Sequence, residues 1–264
     1  MGSDWPETEE GAPVAKTAGR TARDSVWLKE KPPRGGRGGQ PSGLDRERIT
    51  AASVRLLDAE GLAKFSMRRL AGELNVSAMS LYWYVDTKDD LLELALDAAY
   101  GELRLPAEDD AADWRERLRA LAAEYRSLLV RHPWLSRLAG QYLNIGPHSL
   151  DFSRSVQRTL GRSGLPAHRV MGAISAVFQF VYGFGTKEAQ FMGRIADSGL
   201  TPDDYYQQAR NSVREDPHTA DFVQESRQIM EARGRGTVAE LMGRDFTFAL
   251  DLLIAGIEAM VERG

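Results

Sequence analysis

Every long segment of this chain repeats its apolar residues at the helical period, and no stretch alternates convincingly with a period of two. That pattern excludes a sheet-built core and predicts an all-α protein. From Trp114 to His132, for example, Leu118, Leu121, Ala122, Tyr125 and Leu128 line one side of a helix. Further helices are expected from Pro133, Pro147 and Pro166, because proline suits a helical first turn. The closing run from Phe246, "FTFALDLLIAGIEAMV", is apolar nearly all round, which implies burial on more than one side.

Composition narrows the chemistry. The chain has no cysteine, which removes disulfides, thiolate metal sites and cysteine nucleophiles together. His132, His148, His168 and His218 share no ligand spacing and read as surface or capping groups. No metal and no cofactor is expected. No G-x-S-x-G elbow, H-E-x-x-H or phosphate-binding G-x-x-x-x-G-K-[ST] is present, so the chain does not read as an enzyme. No run approaches the roughly 18 apolar residues of a membrane span, and the cytoplasm is the default compartment. A net charge of −4 argues against a uniformly basic coat but leaves room for a local basic surface.

Three regions follow. Residues 1–43 are rich in Gly, Pro, Thr and charge, and read as a disordered arm ending in the basic "KPPRGGRGGQPSG". Its apolar island, Val26-Trp27-Leu28, reads as an isolated patch in a tail, with docking on the body as the alternative. Arginine-glycine arms also bind RNA or track a minor groove, which makes Arg34 and Arg37 rival nucleic-acid contacts. Residues 44–105 form a head of short helices. Ile49, Ala52, Leu56 and Leu57 define the first, stopped by Gly61; Ser66 caps a second through about Leu74; Asn75 takes the left-handed turn; Ser77 caps a third. A longer fourth helix starts near Thr87 and breaks at Pro106, with Asp89 and Asp90 at the positive end of its dipole. Residues 106–264 make a helical body, polar from 202 to 232.

Two short helices on a tight turn, supported by a first helix, form a helix-turn-helix. The N-terminal end of the third helix then faces base edges, which assigns Ser77, Ala78, Met79 and Ser80 to the major groove. Leu81 and Val85 point back into the small core. Three consecutive rings cannot share one core on a helix, so Tyr82 and Tyr84 are expected to hydrogen-bond phosphates while Trp83 braces the helix. Arg68 is expected to reach a guanine edge and Lys88 a phosphate.

The string "RLAGELNVSAMSLYWYVDTKDDLLELALD", with "ITAASVRLLDAEGLAKFSMR" before it, closely resembles the DNA-binding domain of the TetR family of bacterial repressors, unbroken from about Leu44 to Leu105. Its specific tokens are the "LYWYV" run, Lys88 three residues past its valine, and "GLAKFSMRRLA". "FTFALDLLIAGIEAM" and "VMGAISAVFQFVYGFG" look like the last and third-from-last helices of the branch typified by the tetracycline repressor. The resemblance implies a ligand-responsive repressor, acting as a homodimer on palindromic double-stranded operator DNA and released by a small-molecule effector, with no membrane partner. It also implies that these two helices pair with their copies as a four-helix bundle through Ala173, Val177, Phe178, Val181, Phe246, Leu250, Leu253 and Ile257. An ordinary intrachain core explains those residues equally well. Where tetracycline-binding members carry two ligand-contacting histidines, this chain places Arg104 and Leu138, which argues against a magnesium-tetracycline ligand. The expected effector pocket comprises Arg104, Leu121, Tyr125, Leu138, Tyr142, Phe178 and Tyr182, suited to a hydrophobic or aromatic molecule. The rival reading is an all-α small-molecule-binding protein or enzyme with a vestigial head.

Overall fold

The computed structural model describes residues 25–29, 44–107 and 112–263, all of them helix, turn or irregular chain with no strand among them. Most of the expected arm therefore lies outside the described residues, Arg34 and Arg37 included.

The head is built from α1 (Arg46–Glu60), α2 (Met67–Glu73) and α3 (Ala78–Leu81), with local signals setting each boundary. Asp45 accepts from the Arg48 N–H at the start of α1, and Gly61, at φ 76°, ends it. Ser66 caps α2 by accepting from Arg69 N–H, and Asn75 carries the turn at φ 53°. Ser77 accepts from Ser80 N–H to open α3, which lasts a single turn. Tyr82, Trp83 and Tyr84 thus lie just beyond the helix, in turns closed by hydrogen bonds such as Tyr84 N–H to Leu81 O at 2.9 Å. Ile49, Leu57, Leu70, Leu81 and Val85 form the core of the head.

The connecting helix α4 (Lys88–Tyr100) opens on a capping box, in which Thr87 and Asp90 satisfy each other's backbone N–H. The body follows as α5 (Trp114–Arg131), α6 (Leu135–Leu138), α7 (Pro147–Gly161), α8 (Ala167–Ser198), α9 (Pro202–Glu215), a 3-10 turn (Pro217–Thr219), α10 (Ala220–Ala232) and α11 (Val238–Glu262). With α9 and α10 between them, α8 is the fourth helix from the last in this chain. The long helix α8 lies closely on α5 at Gly185, where a Cβ would come within 3.0 Å of Leu129 Cδ1. Glycine is what lets the two backbones approach. Neither α9 nor α10 buries a residue, in keeping with their polar sequence.

The island in the arm is not isolated. Ser25 is 2% exposed, and Val26 and Trp27 pack on the core. Val26 N–H and Ser25 Oγ donate to Glu93 at 2.7 and 3.2 Å, while Lys29 Nζ grips both oxygens of Asp90 at 2.7 and 2.8 Å. Two carboxylates on an otherwise apolar stretch of α4 explain the docking: acids buried to 1% and 4% exposure need donors, and the arm supplies them.

Candidate functional site

On the head, Ser77, Met79, Tyr82 and Trp83 are exposed, Met79 to 70% and Trp83 to 49%. Ala78 and Ser80 are half-buried, and Ser77 Oγ and Ser80 Oγ are 2.8 Å apart. This face is small, partly apolar and rich in hydroxyls. Trp83 lies just past the end of α3 with about half of its surface covered. One expectation for these aromatics needs correction. Tyr84 turns its hydroxyl inward, donating to Leu44 O at 2.6 Å, so that proton ties the entry of α1 to the recognition turn and is not offered to a phosphate.

The cations beside it divide into tied and outward groups. Arg69 is bound to Glu60, with its Nε donating to the carboxylate at 2.9 and 3.0 Å. That partner raises the already high Arg69 pKa and lowers that of Glu60. Arg68 is exposed one residue earlier. Lys88 is exposed but donates one proton to Phe65 O at 2.8 Å, with its ammonium 5.6 Å from the Phe65 ring. An ammonium has three protons, so this tether orients Lys88 without consuming it.

In the body, rings from α4, α5, α7 and α8 gather. Tyr125 stands 6.1 Å from Tyr100, 5.3 Å from Phe152 and 6.1 Å from Phe178, and Phe152 meets Phe178 edge-on at 5.5 Å. Burial raises the hydroxyl pKa of Tyr100 and, more strongly, of Tyr125. Tyr182 donates to Ser136 O at 2.5 Å, and Leu121 and Leu138 are fully buried. Of the expected pocket residues, Leu121, Tyr125, Leu138, Phe178 and Tyr182 lie in the body core or pack against it. Tyr142 sits at its edge, with its hydroxyl 3.4 Å from Asp89 Oδ1. Arg104 does not belong: its side chain is 89% exposed and pairs with Glu124 at 2.9 Å. It lies in the extended chain after α4, where no helix turns it inward. Tyr100 and Phe152 escaped the sequence reading, although both occupy apolar positions of amphipathic helices.

A groove of about 630 Å³ opens instead between α5, α8 and α11. There Arg126 pairs with Glu188 at 2.6 Å and covers the Phe184 and Phe246 rings at 5.0 and 4.6 Å. None of the expected pocket residues lines it.

The face shared by α8 and α11 also departs from expectation. Val177, Val181, Phe246, Leu250 and Ile257 are buried within the protomer, at 0 to 7% exposure, and are already spent on its own core. Ala173, Phe178 and Leu253 are half-buried. Because α11 is apolar nearly all round, burying 246, 250, 254 and 257 leaves Phe248, Leu252 and Met260 outward, at 66, 58 and 42%. Met171 at 61%, Gly172 and Ala176 are exposed on α8. The expected Ala173, Leu253 and Ile257 nevertheless help line a shallow groove of about 290 Å³ between the two helices, together with Gly172, Ala176, Leu252, Gly256 and Met260.

A helix-turn-helix head on a helical body with an open apolar face defines a class of two-domain DNA-binding regulators. Residues 49–95 match the family described as bacterial regulatory proteins, tetR family, and residues 105–261 match the tetracyclin repressor-like C-terminal domain. The chain belongs to the TetR family. It is 42% identical over 146 residues to an HTH-type transcriptional regulator of Saccharopolyspora erythraea, a match covering 55% of this chain and 61% of that relative. It is 33% identical over 196 residues to the HTH-type transcriptional repressor DrrR1 of Streptomyces coeruleorubidus, covering 74% and 72% of the two chains. Apo ActR from Streptomyces coelicolor superposes with a TM-score of 0.66 at 26% identity, over 84% of this chain and 99% of that one.

Proposed function

We propose that the chain is a homodimeric transcriptional repressor that reads a palindromic operator and releases it when a small aromatic effector binds the body. The observation that carries this reading is the outward face of Ser77, Met79, Tyr82 and Trp83, flanked by Arg68 and Lys88. In a dimer, two such faces would enter successive major grooves about 34–36 Å apart. Arg68 reads a base edge, Lys88 holds a phosphate, and the short side chains of Ser77, Ala78 and Ser80 let the turn sit deep.

The dimer forms through Phe248, Leu252, Met260 and Met171, and the small Gly172, Ala176 and Gly256 allow close helix approach. The effector site is the ring cluster of Tyr100, Tyr125, Phe152 and Phe178. It touches α4, which runs unbroken into the head, and its buried tyrosine hydroxyls can accept or donate to a polar group on an aromatic ligand. A ligand that prefers rings parted over rings closed shifts α4, and with it the spacing of the heads. The names of relatives agree with this reading: DrrR1 is a repressor, ActR is known in complex with actinorhodin, and BioQ with its double-stranded operator.

Binding isotherms on duplex DNA over a salt series test the head. Arg68→Ala should cost about 1–3 kcal/mol on the preferred sequence and relax preference at one position. Lys88→Ala should weaken all duplexes alike and reduce the salt slope by about one. Parent-like isotherms in both variants would remove the assignment.

A further inference from the structure

Expected from the sequence to be a surface or capping group, His132 is instead 3% exposed, at a joint of three elements. Its Nδ1 lies 2.7 Å from Asp58 Oδ1 on α1, in the head. Its Nε2 lies 3.1 Å from Glu102 Oε2, in the turn just past α4. The ring itself follows the last residue of α5, in the body. A neutral imidazole carries one N–H and would set a lone pair against one of these carboxylates, whereas the imidazolium donates to both. The neighbouring groups hold the arrangement in place. Trp134 Nε1 donates to the same Asp58 oxygen at 2.7 Å, Arg131 pairs with Glu102 at 3.1 Å, and the Trp134 ring lies 5.6 Å from the imidazole.

We propose that His132 is a positioning residue for operator binding: as an imidazolium bolted between Asp58 and Glu102, it fixes the head on the body, and losing its proton loosens the head. This rests on the DNA-reading function proposed above. Charged and titratable groups facing the ring come from each element around it: Asp58 from α1, Glu102 from the turn after α4, and Arg131 from α5. Burial alone would favour the neutral ring, yet the hydrogen bonds to Asp58 and Glu102 outweigh it and the pKa stands above 6.5. A group whose folded pKa is raised stabilises fully below its unfolded value and ceases to do so as pH climbs through the folded value. The joint is therefore closed below pH 6.5 and opens as pH climbs through the raised His132 value.

The full chain, with ring-nitrogen-labelled histidine, is titrated by NMR from pH 5.5 to 9. In parallel, affinity for a duplex selected from random DNA is measured over the same range at fixed ionic strength. The expected result is a His132 signal that keeps both protons beyond pH 6.5, and an affinity that falls about tenfold as the second proton leaves. His132→Gln should bind like the deprotonated parent at every pH, and Glu102→Gln should move the transition to lower pH. A His132 that titrates at or below 6.5, or pH profiles alike in parent and His132→Gln, would overturn the proposal. Should no duplex be retained at any pH, the operator reading fails by itself. Amide exchange of α1 across the same range then decides the bolt: protection lost with the proton supports it, and unchanged protection refutes it.

Discussion

The carboxylate of Asp97, on α4, does for α7 what α7 does not do for itself. Gly146 stands at the N-cap with no side chain to offer, and Pro147 has no N–H. The N–H groups of His148 and Ser149 and the hydroxyl of Ser149 donate to Asp97 at 3.4, 2.9 and 2.9 Å, at a site where Asp97 is 3% exposed. Asp97→Ala removes a helix cap, typically worth about 0.5–2 kcal/mol. It also leaves the buried Ser149 hydroxyl without its acceptor, at about 1–3 kcal/mol. Together these predict a loss of about 3 kcal/mol. Asp97→Asn keeps the shape and one acceptor oxygen, and should cost only about 1 kcal/mol. Gly146→Ala attacks the same contact from the other side, because its Cβ would fall 2.2 Å from Asp97 Oδ1. In an Asp97→Ala background the carboxylate part of that clash is gone and only a 2.8 Å approach to the Cβ of residue 97 remains, so the double variant should be more stable than additivity predicts by about 1 kcal/mol. Urea unfolding followed by circular dichroism, at one fixed protomer concentration, measures all four chains. Strict additivity, or an Asp97→Ala chain within about 0.5 kcal/mol of the parent, would refute the account of this joint.

Three further variants test other contacts of the fold. Leu252→Arg, together with Phe248→Arg, should give a folded monomer by light scattering, whereas Leu250→Ala should destabilise the protomer itself by about 2–5 kcal/mol because that side chain is core. Glu93→Ala removes the acceptor of Ser25 and Val26 and should release the 25–29 clip. Limited proteolysis should then cut near residue 28 faster than in the parent, and equal rates would show that Val26, Trp27 and the Lys29–Asp90 pair hold the clip without Glu93.

The head was legible because its signals are local. Ser66, Asn75, Ser77 and Thr87 each set a boundary through bonds to residues a few positions away, and the apolar face of α1 is the face that became buried. What the sequence could not show were contacts made across the fold. The inward turn of Tyr84 depends on Leu44, forty residues earlier. The burial of His132 depends on Asp58 and Glu102, which only the packing of α1, α4 and α5 brings together. The face of α11 was only partly legible for a related reason: Leu253 and Ile257 line the open groove while Phe246 and Leu250 are core, and a helix apolar all round offers no contrast from which to choose a side. One overlooked signal was present. Asp90, Glu93 and Asp97 recur every three or four residues on an apolar helix, and buried acids at that spacing announce partners, here the arm and the start of α7.

On the proposed function, this chain reads DNA as a dimer through the face beside Arg68 and Lys88. Selection of random duplexes by the purified full chain at near-physiological salt, followed by sequencing of what is retained, tests it most directly. The account predicts a palindrome with half-sites spaced about one helical turn apart, lost on selection with the Leu252→Arg, Phe248→Arg chain. A folded, dimeric protein that enriches no motif at any salt concentration would contradict it.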